Sequence, residues 1–338
     1  MRRVCILGTG LIGASLGMAL REVGWWVAGW DPHPEALTTA LARGAVDEAA
    51  SSVEEAVAKA DLVVLAGPLE AALATLAQLE TNALVTDVAG VKVPMMEAKP
   101  SGMRFVGGHP MAGREHAGPT AATPALFRGA AWIVCADGAS AEDIDTLVGM
   151  IESIGAIPIP MSADRHDQVV ATISHLPQVI AAALVNQVSS QPGAVELVSG
   201  SFRDLTRVAA SEPGWWPEIL MANVENVGGA IDELISQLET IRAEMAGDRQ
   251  ALTARLASAR EKRRDMAPPE VRVGVVLADK PGEIAAVGRA LEESNADVRD
   301  LQLRHALHGG GGVLTLSVRP GEAEALREAL TAEGLLLE

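Results

Sequence analysis

The sequence has 338 residues but no tyrosine, only three phenylalanines and only two cysteines. Two cysteines are too few for a disulfide framework or a thiolate metal site. Both stand in apolar runs, Cys5 beside Ile6-Leu7 and Cys135 after Trp132-Ile133-Val134. They read as buried thiols of a cytoplasmic protein, and no metal is expected. No run of about 18 apolar residues passes without a polar interruption, so no membrane span is expected. Met1-Arg2-Arg3 leads straight into a strand, so no targeting segment is expected. Cations are scarce too: 27 Lys and Arg face 44 Asp and Glu, a formal net charge of −17. That balance argues against a nucleic-acid partner. It leaves an anionic small substrate open, because a few local arginines outweigh a global sign. The missing tyrosine fits compositional drift in a chain with 33 glycines. What is present is a chain 49% apolar, long enough for two or three domains with cores of their own.

Up to about residue 160, short apolar strands alternate with amphipathic helices, the pattern of a mostly parallel, doubly wound α/β sheet. Strands are expected at 3–8, 26–31, 61–66, 83–87, 104–107, 131–135 and 156–159. From about 162 the strands stop, and 164–190, 193–209 and 214–264 carry helical periodicity. Such long helices suggest contacts between subunits in a homodimer; the other reading is a solvated helix packed on its own domain. Ala267-Pro268-Pro269-Glu270 reads as a stiff linker. Beyond it, a small βαββαβ module is expected, with Asp279-Lys280-Pro281-Gly282 at its first turn and a hairpin across Gly309–Gly312. The expected domains are 1–161, an all-α domain over 162–266, and an α+β domain over 270–338.

The first 31 residues carry a dinucleotide-binding pattern. Strand Val4–Leu7 runs into Gly8-Thr9-Gly10-Leu11-Ile12-Gly13, and a second strand ends at Asp31. Gly8 serves the tight turn, Gly10 a close approach of backbone to pyrophosphate, and Gly13 the packing of helix on sheet. The helix N-terminus faces the phosphate charge. Asp31 follows at about the spacing of the acid that accepts from the ribose hydroxyls. It would repel a 2′-phosphate, so NAD is expected rather than NADP. Gly67 and Pro68, after Leu62-Val63-Val64-Leu65, should border the cofactor, with Lys92 as a weaker candidate.

Three polar clusters interrupt apolar surroundings: Asp87–Lys92; Gly107-Gly108-His109-Pro110-Met111-Ala112-Gly113-Arg114-Glu115; and His166-Asp167 with Ser174-His175-Leu176-Pro177-Gln178, followed by Phe202-Arg203-Asp204-Leu205-Thr206-Arg207-Val208-Ala209 and Trp215-Trp216. Together with the glycine turn they closely resemble the prephenate dehydrogenase family of tyrosine biosynthesis, over nearly the whole chain. The tail resembles an ACT domain, a ferredoxin-like fold that often senses amino acids. The resemblance implies a Rossmann-type domain, a helical dimerisation domain and an ACT domain. It also implies NAD-dependent oxidative decarboxylation of prephenate to 4-hydroxyphenylpyruvate. Such chemistry asks for a base, cations for two carboxylates and an apolar pocket for the ring.

By resemblance, His109 is the catalytic base, and a pKa near neutrality suits it. Arg207 is the substrate-binding arginine, whose fork suits a carboxylate. Read alone, it would be a surface ion pair. Glu115 pairs with that arginine and gates the pocket. His166 and Gln178 are pocket positions, with Arg203 as an added cation. Trp216 is an apolar wall for the ring, or plain core packing; His175 can be structural. Three departures matter. Arg114 replaces a small residue common in relatives and adds a positive charge at the pocket mouth. Gly90 stands where many relatives carry a serine that orients the histidine, and Gln178 stands where they often carry histidine. Neutral Gln178 favours prephenate over arogenate, whose ammonium wants an acid; arogenate dehydrogenase is the alternative. A 3-hydroxyacid dehydrogenase or imine reductase would place a lysine on the helical domain, and residues 164–240 hold none. An NAD-binding regulator would not need His109, Arg207 and Glu115. Tyrosine is the natural effector of the tail, and avoidance of that amino acid becomes a second reading of its absence.

Overall fold

Aliphatic runs four to six residues long, closed by glycine or polar turns, make strands buried on both faces, as a helix-covered parallel sheet requires. The computed structural model describes residues 2–113, 117–266, 270–278, 280–305 and 311–338. The chain divides into two compact units, 1–236 and 237–338.

The first unit opens with β1 (Arg3–Leu7), α1 (Leu11–Glu22), β2 (Trp26–Trp30), α2 (Pro34–Ala42), β3 (Glu48–Ala49), α3 (Val53–Val57), β4 (Leu62–Leu65) and α4 (Leu69–Gln78). It continues through β5 (Leu84–Asp87), α5 (Val93–Ala98), β6 (Phe105–Pro110), β7 (Ala131–Cys135), α6 (Ala141–Ser153) and β8 (Ile157–Pro160). The sheet order is β3-β2-β1-β4-β5-β6-β7-β8. Every pairing is parallel except β6 with β7. The order reverses between β1 and β4, and ligands of such sheets bind outside the strands' carboxyl ends at that reversal. Alternate residues feed two cores: Val4, Ile6 and Val64 face one with Leu20 and Trp132, while Cys5, Leu7 and Val63 face the other with Leu76 and Met95. Both thiols are free and buried, and burial pushes each up to about 12.

The seven expected strands are present. The two-residue β3 is an addition, too short to leave a periodic signal. The all-α part consists of α7 (Ala163–Val170), a π-turn (Ala171–His175), α8 (Leu176–Ser189), α9 (Gly200–Thr206), a 3₁₀ turn (Arg207–Ala210), α10 (Trp216–Ala222), α11 (Val224–Met245) and α12 (Arg249–Asp265). The boundary between the two units falls within α11. The π-turn ends two residues before Pro177, which lacks the N–H that would extend an α-ladder. The run expected over 214–264 is three helices, not one. Asn223 breaks it by turning its side chain inward, and Asp248 caps α12 by accepting from the Ala251 amide at 2.8 Å. The stretch 163–189 is long and apolar enough to cross a membrane by length and composition, but it includes the buried pair His166 and Asp167.

The second unit carries β9 (Val271–Leu277), α13 (Glu283–Ser294), β10 (Asp300–His305), β11 (Gly312–Val318), α14 (Ala323–Ala332) and β12 (Leu336–Leu337). Its sheet is antiparallel, in the order β10-β11-β9-β12. Val273, Val275, Leu314 and Leu316 bury one face under Ala290, Leu326 and Leu330. Residues 267–269, Asp279 and 306–310, on which the expected linker, first turn and part of the expected hairpin connection fall, lie outside the described residues.

Candidate active site

The dinucleotide cradle follows from three glycines and one acid. Gly8 leaves β1 at φ +106, where a Cβ would stand 2.6 Å from the Ala66 and Gly67 backbone. A Cβ on Gly13 would stand 1.9 Å from the Gly8 carbonyl oxygen, so α1 packs directly onto the turn. At Gly10 nothing lies within 4 Å of the Cβ position. Gly10 is also the N-cap of α1 and offers no side-chain cap, so the first amides of α1, Leu11 and Ile12 among them, face that opening. The Asp31 carboxylate accepts from the Thr9 amide at 2.7 Å, the Thr9 hydroxyl at 3.1 Å and the His33 amide at 2.9 Å. It is thereby tied to the glycine turn. Gly67 is open, and Pro68 opens α4, whose Glu70 amide donates to Glu218 of α10 at 3.2 Å. These residues fit a dinucleotide: a tight turn, an open approach to helix amides and an acid directly after β2.

His109 lies in a strand rather than in the expected loop. It sits where β6 runs past the end of β5 and pairs with Ile133 of the antiparallel β7. Its Nδ1 lies 2.8 Å from His166 Nε2, and His166 Nδ1 lies 2.7 Å from Asp167 Oδ1. Asp167 also accepts from the amides of Lys92 at 2.7 Å and Val93 at 2.9 Å. The other ring nitrogen, Nε2, is 3.9 Å from the Cβ position of Gly90, beside Ile219 Cδ1 of α10. Burial first, then the neighbouring imidazoles and the Lys92 ammonium, holds the His109 pKa well below the usual histidine value. His175 is pushed down to about 4, mainly by burial. Asn223 donates to its Nδ1 at 3.3 Å and to the Asp167 carbonyl at 2.8 Å.

Two expected residues play other parts. Lys92 was expected at the cofactor, but its side chain is fully buried. Its ammonium is taken up by Asp87 and by the Gly108 carbonyl at 2.7 Å. His166 was expected to touch substrate, but it is 1% exposed and both ring nitrogens are engaged behind His109. Trp216 meets His175 edge-on, with ring centroids 6.3 Å apart. Trp216 Nε1 and Gln178 Oε1 are buried atoms without a hydrogen-bond partner among the described residues. Arg203 and Arg207 are exposed, and the turn carrying Arg207 packs on α8, the helix of Gln178. Arg114 and Glu115 lie outside the described residues. Asp167, Asn223 and Ile219 were absent from the sequence-based set of site residues. Only Asp167, next to His166, carried a signal there.

Cradle and histidine together define a dehydrogenase that works on a nicotinamide dinucleotide. Residues 16–159 match the model of the prephenate dehydrogenase nucleotide-binding domain, and residues 162–258 match that of the prephenate dehydrogenase dimerization domain. The chain belongs to the prephenate dehydrogenase family. Prephenate dehydrogenase of Bacillus subtilis (strain 168) is 30% identical over 338 residues, covering 93% of this chain and 91% of that protein. Cyclohexadienyl dehydrogenase of Zymomonas mobilis is 33% identical over 260 residues, 72% of this chain and 89% of that protein. The crystal structure of prephenate dehydrogenase from A. aeolicus, in complex with hydroxyphenyl propionate and NAD⁺, superposes with a TM-score of 0.72. It is 30% identical and covers 79% of this chain and 99% of that chain.

Proposed function

We propose that this chain is an NAD-dependent prephenate dehydrogenase, which oxidatively decarboxylates prephenate to 4-hydroxyphenylpyruvate in tyrosine biosynthesis. The observation that carries the reading is His109. One ring nitrogen is anchored on a buried histidine, and the other faces the space left by Gly90. Bound NAD⁺ supplies the hydride acceptor. His109 Nε2 takes the ring hydroxyl's proton as the hydride leaves, and its lowered pKa keeps it unprotonated for that task. Arg207 forks onto a substrate carboxylate, with Arg203 and Arg114 adding positive charge and Glu115 gating the pocket. Trp216 walls the ring, and its unpartnered Nε1 is a donor for substrate oxygen. Asp31 selects NAD by repelling a 2′-phosphate.

The domains are 1–161 for NAD, 162–266 for substrate and dimerisation, and 270–338 as an ACT-type module. Exposed Leu205, Met221, Val224 and Ile235 support a homodimer, since burial against a second copy would remove them from water. The antiparallel βαββαβ unit supports the ACT reading. Glu283 already accepts from the Ala278 amide at its first turn, so a tyrosine effector would meet the remaining amides of α13. A cytoplasmic setting fits the two unpaired cysteines.

The test is NADH formation by the full chain with prephenate and with arogenate, each with and without tyrosine. Turnover of prephenate above arogenate is expected, with tyrosine inhibiting. Arogenate turnover alone would give the substrate to the alternative, an arogenate (cyclohexadienyl) dehydrogenase that forms tyrosine directly. Gln178→Glu is expected to raise kcat/KM for arogenate and depress it for prephenate, because the new acid attracts an ammonium and repels carboxylates. Unchanged values for both substrates would place Gln178 outside the pocket.

A further inference from the structure

The chain of contacts behind His109 has a direction. Asp167 is an acceptor in each of its side-chain contacts, from the Lys92 and Val93 amides and from His166. His166 Nδ1 therefore carries the proton of its bond to Asp167. A neutral imidazole carries one N–H, so with Nδ1 donating to Asp167 the ring's Nε2 is left with a lone pair. A lone pair at His166 Nε2, 2.8 Å from His109 Nδ1, requires the proton of that bond to sit on His109. His109 Nε2, the atom facing Gly90, is then unprotonated.

We infer that His166, held by Asp167, is the positioning residue that fixes the tautomer of His109, with the proton on Nδ1 and the base at Nε2. The inference rests on the proposed reading of His109. The balance of the reaction supports an anchor rather than an exit route. Prephenate dianion and NAD⁺ give the hydroxyphenylpyruvate monoanion, CO₂ and NADH. The C–H bond supplies the hydride, the C–C bond to the ring carboxylate breaks, and its electron pair closes the aromatic ring. The hydroxyl proton that His109 accepts is regained by the phenol oxygen, so no net proton has to leave. A chain that ends on an Asp167 only 1% exposed, with its oxygens committed to two backbone amides, suits a proton that is lent and returned.

The test begins with the unliganded full chain labelled with ¹⁵N-histidine. Long-range proton–nitrogen correlations report which nitrogen of each of the seven histidines is protonated, and His109→Ala identifies the His109 signals. The expected result is a protonated Nδ1 and a bare Nε2 on His109. A proton on Nε2 overturns the inference, whatever the substrate. The second arm is kinetic. His166→Leu is expected to lower kcat by ~10- to 100-fold, the usual cost of losing the partner that orients a functional histidine, with KM for prephenate little changed. His166→Gln is expected to regain part of the loss, because its amide oxygen can accept from Nδ1–H. Equal losses in both variants with the His109 tautomer unaltered would make His166 merely structural and overturn the inference. A wild-type chain that shows the tautomer but does not oxidise prephenate supports the inference and overturns the substrate reading.

Discussion

Replacing His109 with alanine is expected to lower kcat by ~10²-fold or more, within the range for a positioned general base, while NAD⁺ binding changes little. The separation follows from geometry. His109 belongs to β6 and is anchored through His166, whereas the cofactor cradle is built from the β1–α1 turn and Asp31. The pH profile adds a second measure. The folded protein holds the His109 pKa well below the usual histidine value. The unprotonated base therefore survives as pH falls through that ordinary value, and kcat/KM for prephenate drops only when pH falls through the lowered one. An acid limb near or above 6.5 would contradict the burial of the ring. Activity of His109→Ala within a few-fold of wild type would remove His109 from the mechanism.

How far the sequence carried the site depended on the range of each interaction. The cofactor half was legible because its determinants are local. A glycine turn joins one strand to one helix, and the acid follows on the next strand, so spacing alone fixes the geometry. The catalytic half is assembled across the sheet. Asp87 on β5, Lys92 before α5, His109 on β6 and His166-Asp167 on α7 meet only because β5 and β6 are neighbours and α7 packs against α5. Nothing in the order of residues says that Asp167 accepts from the Lys92 amide, or that Asn223 ends α10 to reach His175. Residue type was informative and orientation was not. A lysine beside a cofactor loop reads as a phosphate or ribose contact until its ammonium is found on a buried carboxylate. Gly90 is the converse case. The expectation was a missing hydroxyl, and the fold places the Cβ position of Gly90 3.9 Å from His109 Nε2, in ordinary van der Waals contact.

Lys92→Met is expected to be the most destabilising of these substitutions. Lys92 and Asp87 form an ion pair whose two side chains are both 0% exposed. Asp87 also accepts from the Gly108 amide at 3.1 Å and the Ala89 amide at 2.9 Å, so its carboxylate cannot turn toward water. Methionine matches the stem of lysine in volume but leaves that carboxylate without its cation, and breaking a buried pair from one side costs about 3–5 kcal/mol. The Gly108 carbonyl loses its donor in the same step, one residue before His109. A large fall in the denaturation midpoint is therefore expected, with a loss of kcat at temperatures where the variant remains folded. Adding Asp87→Asn should recover part of the stability, because a neutral amide oxygen can still accept from a backbone N–H without an unpaired charge. NAD⁺ affinity, measured on the folded variant, should stay within a few-fold of wild type, since the ammonium lies under the catalytic strand and not in the cradle. A variant as stable as wild type, or one that loses NAD⁺ binding while its midpoint holds, would return Lys92 to the cofactor.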